Sequence, residues 1–231
     1  MNQADIPLCK EFTSLKTNNL QTWVAVGGWS LNDVNSTTRI AYSNMVSTAA
    51  NRRAFITSLI KFMDMYGFQG ADLHWQYLSE PKRGGRPDDA KNLVFLVKEM
   101  RATFGTRYGI SVALAPDYWY LRGFRPADMQ DYADFKGFMA YDLHGPWDTD
   151  VKALGSLIRP QTNITEIDKG LIPLWFDGVD PSNINMGMAC NGQSYKLADP
   201  SCRHMDCSFV PGQGGAVENA LLHAGLCPTK K

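Results

Sequence analysis

Three polar side chains recur at every second position of an otherwise apolar stretch. Asp72, His74 and Gln76 lie in the run Y-G-F-Q-G-A-D-L-H-W-Q-Y-L, which covers residues 66–78. On a β-strand this spacing places all three on one face. A carboxylate and an imidazole can hold or transfer a proton, whereas the Gln76 amide has no proton to give and can only form hydrogen bonds. The stretch therefore predicts a polar site whose outermost position cannot act as a general acid.

Alternating strand and helix patterns surround this stretch. The helical patterns run over 48–66, over 93–104 and from 163 to 174, and the strand patterns over 22–28, 70–77, 108–115, 136–141 and 183–192. Units of about 30 residues are typical of a parallel α/β sheet with right-handed crossovers, either a barrel or a doubly wound fold. No G-x-G-x-x-G motif follows the first strand, which counts against a dinucleotide fold and favours the barrel.

Five strand-helix units fall short of the eight in a complete barrel. Either the chain is a fragment, or it leaves parallel edge strands exposed, which is an aggregation hazard. A partner chain that covers the exposed barrel edges would remove that hazard. We therefore expect a TIM (β/α)8-type barrel that is incomplete.

Composition excludes several kinds of partner. Lys plus Arg and Asp plus Glu both total 23 in 231 residues, so there is no electrostatic case for nucleic acid or an anionic membrane. No apolar run approaches the length of a membrane helix, and Met1–Leu20 lacks the basic start and apolar core of a signal peptide. A neutral ligand fits this composition better.

Cysteines and glycosylation triplets bear on the compartment. Cys202 and Cys207 bracket a short polar loop and can form a local disulfide, with free thiols as the alternative. Asn35 and Asn163 each begin an N-glycosylation triplet. Together these features favour the secretory route.

Other polar residues receive structural interpretations. The four histidines, which are His74, His144, His204 and His223, show no metal-ligand spacing, so no metal site is expected. The basic stretch 82–86 is interpreted as a solvated loop. Asp72 is either part of the site or a buried carboxylate that pairs with His74.

Seven motifs occur in an order that points to a known family. They are W-V-A-V-G-G-W-S at 23–30, a D-x-x-D-x-D-x-E-like run at 69–76, R-G-G-R-P-D-D at 83–89, Y-W-Y-L-R-G-F at 118–124, M-A-Y-D-L-H-G-P-W-D at 139–148, N-I-T-E-I-D at 163–168 and L-A-D-P-S-C at 197–202. The chain resembles fungal chitinases of glycoside hydrolase family 18, including the chitinase-like subunits of killer toxins. The likeness spans nearly the whole chain.

The resemblance implies where each segment belongs. The five strands look like strands three to seven of the family's barrel, and the end of the chain falls within the small α+β insertion after strand seven. The implied domains are a partial (β/α) barrel over 1–192 and the start of an insertion subdomain over 193–231. The family also implies an extracellular or cell-wall location and no cofactor.

The catalytic motif of the family is degenerate in this chain. In the family its last acid protonates the leaving glycosidic oxygen, while the substrate's own N-acetyl oxygen attacks the anomeric carbon. Of the four acids only Asp72 is kept, and Gln69, His74 and Gln76 replace the others. The resemblance therefore implies that no intact catalytic set remains, and we expect no useful chitinase activity.

Residues that bind sugar in the family are better preserved. Met139, Tyr141 and Asp142 keep the pattern that contacts the acetamido group, and Gln76 can still donate a hydrogen bond to the glycosidic oxygen. The aromatic platforms expected for sugar rings are Trp29, Trp75, Trp119 and Trp147. Against strong binding, the family's Tyr and Arg at strand seven are lost within residues 189–195.

Three functions follow from these observations. The first is a catalytically inactive protein that binds chitin or chito-oligosaccharides. The second is a chitinase with residual activity on β-1,4-linked N-acetylglucosamine. The third is a truncated fragment or an interaction subunit that has no role in sugar binding.

Overall fold

A parallel five-stranded sheet organises the chain. The computed structural model describes residues 5–211. The strands follow one another in space in chain order, each parallel to the next: β1 Trp23–Gly27, β2 Gly70–His74, β3 Gly109–Leu114, β4 Phe135–Phe138 and β5 Ile184–Met186. This arrangement confirms the expected α/β class and fits an incomplete barrel. Each strand is shorter than the sequence pattern predicts.

Helices connect successive strands. Their bounds are α1 Asp5–Ser14, α2 Ala41–Val46, α3 Ala49–Tyr66, α4 Asp89–Phe104, α5 Tyr118–Leu121 and α6 Ile164–Phe176. The main chain of α3 is capped at both ends. The Thr48 side chain accepts a hydrogen bond from the Asn51 amide at 3.1 Å, and Gly67, at φ 84°, donates to the Met63 carbonyl at 2.8 Å. The caps explain why the predicted bounds of this helix are correct.

The chain forms two compact units. The first holds residues up to Met139 together with Asp168–Gly187, and the second holds Ala140–Ile167 together with the residues from Met188 on. The whole sheet lies in the first unit, with β1 and β5 at its two edges. His223, Cys227 and the end of the expected 193–231 subdomain lie outside the described residues.

The two faces of β2 have opposite characters. Ala71, Leu73 and Trp75 are buried, whereas Asp72 and His74 between them are partly exposed. Burial of a side chain as large as that of Leu73 contributes about 1.5–3 kcal/mol to folding. The alternation therefore fixes the register of β2 and leaves its polar face available for chemistry.

A single indole covers the beginning of that polar face. Trp23 lies over Gly70 and Gly109, and a Cβ atom at either glycine would collide with its ring. Trp23 also stacks on Phe135, with 5.2 Å between ring centroids. Apolar rings therefore fill the sheet face near the strand N-termini, and polar side chains follow towards the C-termini.

Candidate sugar-binding site

The polar stripe, formed by Asp72, His74 and Gln76, begins at β2, and hydrogen bonds to neighbouring segments hold β2 at its N-terminal end. The Gln69 carbonyl oxygen Oε1 accepts a hydrogen bond from the Thr22 amide at 3.2 Å, and Asp72 Oδ1 accepts one from Ser111 Oγ at 2.6 Å. The partner of Asp72 is thus Ser111. No ion pair joins Asp72 to His74, so the interpretation as a buried pair is wrong in this structure.

His74 and Gln76 continue the stripe upward. His74 Nε2 is buried and has no hydrogen-bond partner in the described part of the chain. Gln76 Nε2 donates to the Tyr77 hydroxyl at 3.4 Å and lies 3.6 Å from Met139 Sδ. The structure thus brings together Gln76 and Met139, two residues assigned to the site from the sequence. An amide occupies the outermost position.

Trp29 presents an exposed ring next to this stripe. It begins the short turn Trp29–Asn32 after β1 and is 52% exposed. The Arg83 guanidinium lies 3.7 Å from the centroid of its ring, and Tyr77 meets the ring edge-on at 6.2 Å. The ring is therefore held by neighbours while much of its surface remains accessible.

Trp119 is a second exposed ring in the same unit. It lies in α5 and is 59% exposed, with the Arg122 guanidinium 3.7 Å from its ring centroid. Its neighbour Tyr120 stacks on Tyr77 at 4.0 Å between centroids. This stacking fixes α5 against the residue that follows Gln76. Burial raises the pKa of the Tyr120 hydroxyl, and Glu80 adds to that effect.

Trp75 requires a correction. It is 2% exposed and stacks on Tyr42 at 4.8 Å. The cause is strand geometry, because Trp75 lies between His74 and Gln76 and therefore points to the opposite face of the sheet. The expectation that Trp75 is a platform for a sugar ring is wrong.

Asp142 in the second unit is fixed by two glutamines. Its backbone has φ 55°, a left-handed conformation that Asp tolerates better than most residues. The Asp142 amide donates to Gln161 Oε1 at 3.0 Å, and the carboxylate accepts from Gln193 Nε2 at 2.9 Å. The hydrogen-bonding partner of the Asp142 carboxylate is thus a neutral amide. Tyr141 precedes it and is half-buried, and Trp147 is 45% exposed.

Sequence reasoning missed a buried network around His144. Nδ1 lies 2.7 Å from Asp148 Oδ2, and Nε2 lies 2.8 Å from Glu166 Oε2. Both ring nitrogens lie at hydrogen-bond distance from a carboxylate oxygen, so the ring is held from two sides. The i, i+4 spacing of His144 and Asp148 is a weak signal, and Glu166 lies too far along the chain for the spacing to reveal it.

The tail of the second unit contains a disulfide. Cys202 and Cys207 are bonded, with 5.9 Å between their Cα atoms, as expected from their spacing. His204 lies beside them, and the three possible ligand atoms are within 4.8 Å of one another. Metals bind thiolates, and these two sulfurs are engaged with each other. Cys190 is an exposed free thiol.

The basic loop after β2 also differs from expectation. Arg83 is 7% exposed, although the sequence predicts a solvated loop over 82–86. Burial lowers the pKa of its guanidinium, an effect that Asp33 partly offsets. The neighbouring Arg86 is exposed as predicted. No helix among residues 5–211 has the length and apolar character needed to span a membrane.

The chain is similar to known proteins over nearly its whole length. The profile of the family described as "Glycosyl hydrolases family 18" matches residues 2–222. A probable chitinase, LysM11, from Penicillium expansum is 32% identical over 215 residues, which is 88% of this chain and 19% of that protein. The killer toxin subunits alpha/beta of Kluyveromyces lactis are 32% identical over 199 residues, which is 84% of this chain and 17% of that protein.

Solved structures share the fold. The Group IV chitinase of Ostrinia furnacalis is 27% identical with a TM-score of 0.75, covering 90% of this chain and 59% of that one. The chain thus spans less than a fifth of the length of the two fungal relatives and somewhat more than half of the insect structure.

Proposed function

Because this chain belongs to glycosyl hydrolase family 18, we propose that it is a chitinase-like protein that binds chitin or N-acetylglucosamine oligomers without hydrolysing them. Gln76 is the observation that carries the proposal. It lies beside Met139 at the end of the polar stripe, where the family has its general acid. An amide can donate a hydrogen bond to a glycosidic oxygen but cannot protonate it.

Neither Asp72 nor His74 can take over the role of the acid. Asp72 is bonded to Ser111 and lies four residues before Gln76, about 13 Å back along the strand at ~3.3 Å per residue. His74 as a cation would oppose the positive charge that develops on the sugar. Loss of a positioned general acid costs about 10²–10⁴-fold in rate.

Binding depends on different groups, and these are present. Trp29 and Trp119 expose aromatic surface in the first unit, and Asp142 and Trp147 are exposed in the second. A neutral aminosugar chain offers hydroxyls and apolar ring faces, which exposed aromatic rings and hydrogen-bonding side chains can recognise. The disulfide at Cys202 supports a location outside the cell or in the cell wall.

The deciding experiment measures binding and turnover on the same protein. We expect calorimetry with chitohexaose to give saturable heat, and labelled chitotriose to remain uncleaved. Trp29→Ala should weaken binding about 5–30-fold, which corresponds to a loss of about 1–2 kcal/mol. Trp175→Ala is the matched control, since Trp175 is an exposed tryptophan of α6 that the proposal does not use. No heat at millimolar chitohexaose would sink the proposal.

A further inference from the structure

Arg83 is a buried cation without a carboxylate partner at ion-pair distance in the described part of the chain. Burying an arginine is costly unless its donors are used. Its donors instead go to main-chain oxygens at the site. Nε donates to the Gln76 carbonyl at 2.6 Å, and Nη2 donates to the Trp29 carbonyl.

The same guanidinium also stacks on the Trp29 ring at 3.7 Å. Arg83 therefore contacts both the main chain and the ring of Trp29, and it contacts the main chain of Gln76. Trp29 follows β1 closely and Gln76 follows β2, two neighbouring strands in which Gly27 is paired with His74. One side chain thus fixes the relative position of two residues that are far apart in sequence and that the proposed function assigns to sugar binding.

The loop that carries Arg83 is itself tightly fixed. Glu80 caps the short turn Pro81–Arg83 by accepting a hydrogen bond from the Lys82 amide at 3.1 Å. Gly84 follows at φ 81°, and a Cβ atom there would collide with the Arg39 backbone. The fixed backbone of this loop therefore restricts where the Arg83 guanidinium can lie.

We propose that Arg83 is a positioning residue that holds the Trp29 ring in the orientation needed to stack on a sugar. The inference rests on the proposed function, since it concerns affinity for the same ligand. Arg83 covers one face of the indole, and the 52% exposure of Trp29 leaves other ring surface for a ligand. Arg83 acts on the ligand only through Trp29 and the Gln76 main chain.

The chemistry requires arginine rather than lysine. A planar guanidinium can stack on an aromatic ring while its fixed N–H fork reaches two carbonyls, whereas an ammonium is a compact point charge. Arg83→Lys should therefore keep the charge and lose most of the positioning.

Fluorine NMR tests the positioning without any sugar. The protein is labelled with 5-fluorotryptophan, and the Trp29 resonance is assigned by its loss in Trp29→Phe. We expect Arg83→Met to shift and broaden this resonance and Arg83→Lys to do so partly. Arg86→Met, which removes an exposed arginine of the same loop, should leave it unchanged. An unmoved Trp29 resonance in a folded Arg83→Met or Arg83→Lys variant overturns the inference.

Calorimetry with chitohexaose tests the consequence. If Trp29 spends a third to a tenth of its time in the competent orientation, Arg83→Met weakens binding about 3–10-fold. In a Trp29→Ala background the same change should cost little more, because the positioned ring is already absent. An equal loss in both backgrounds indicates a general structural role and overturns the inference. Absence of binding by the unaltered protein refutes the proposed function instead, and the fluorine spectrum still decides whether Arg83 fixes Trp29.

Discussion

Placing a proton donor at position 76 is the sharpest test of the proposed lack of activity. Gln76→Glu exchanges an amide for a carboxyl group of nearly the same shape, so the side chain keeps its place between the Tyr77 hydroxyl and Met139 Sδ. The Tyr77 hydroxyl can donate to a carboxylate as readily as it accepts from the amide. His74→Asp supplies the second missing acid, one that in the family orients the substrate's acetamido group.

The expected gain in hydrolysis rate follows from the chemical group that each substitution introduces. A positioned general acid contributes about 10²–10⁴-fold, which is about 2.7–5.5 kcal/mol of activation free energy. The carboxyl group of His74→Asp would lie about 6–7 Å along the strand from Asp72 and from position 76, at ~3.3 Å per residue. We therefore expect the double variant to cleave labelled chitotriose at least about 10²-fold faster than the unaltered protein, and Gln76→Glu alone to gain less.

The assay needs controls for charge and for folding. Gln21→Glu adds the same negative charge beside the N-terminal end of β1 and should give no turnover. Circular dichroism and chitohexaose binding establish that each variant is folded and binds. A double variant that binds as tightly as the unaltered protein and stays inert would refute the reasoning, and would move the cause to Gln69 or to the altered residues 189–195.

Two further predictions concern buried charge. Lys136 is fully buried, and its Nζ has no hydrogen-bond partner within residues 5–211, so Lys136→Met should raise the free energy of unfolding by about 1–3 kcal/mol in urea titrations. Burial lowers the pKa of Lys136 in the folded protein. Between that lowered pKa and the ordinary value of about 10.4, the unfolded chain binds more protons than the folded one, so the unaltered protein becomes more stable as pH rises. The difference in free energy of unfolding between Lys136→Met and the unaltered protein should therefore shrink over this pH range. His144→Leu should lower the free energy of unfolding by about 1–3 kcal/mol, because the buried Asp148 carboxylate loses its 2.7 Å contact with the imidazole and keeps Arg159 Nη1 at 3.7 Å. His204→Leu, at an exposed position, is the control, and equal effects of the two leucine variants would contradict the assignment.

Local pattern predicted most of the fold. The helix from Ala49 to Tyr66 follows from apolar spacing with Thr48 before it and Gly67 after it. Four of the five strands lie within the stretches that the sequence indicates, and β4 begins one residue earlier, at Phe135. These signals come from residues that are close together in the sequence, so they can be recognised from the sequence alone. Strand alternation also explains why Trp75 is not the expected platform, because it places Asp72 and Gln76 on one face and the buried Trp75 on the other.

Long-range partners explain what the sequence did not predict. The burial of Arg83 depends on a carbonyl and a ring that lie 54 residues earlier, at Trp29, and no charge pattern in the loop reveals them. His144 likewise needs Glu166, which is 22 residues later. In both cases the basic residue looks like ordinary surface until its partners are known.

The indole of Trp23 has a consequence for how this sheet tolerates mutation. Gly70 and Gly109 lie on different strands, yet a methyl group at either would displace the same ring. Once one alanine has moved the ring, a second alanine meets less resistance, so the two substitutions should cost less together than the sum of their separate costs. The effects of substitutions at Gly70 and Gly109 are therefore coupled through the Trp23 ring, so the cost of changing one glycine depends on the residue at the other.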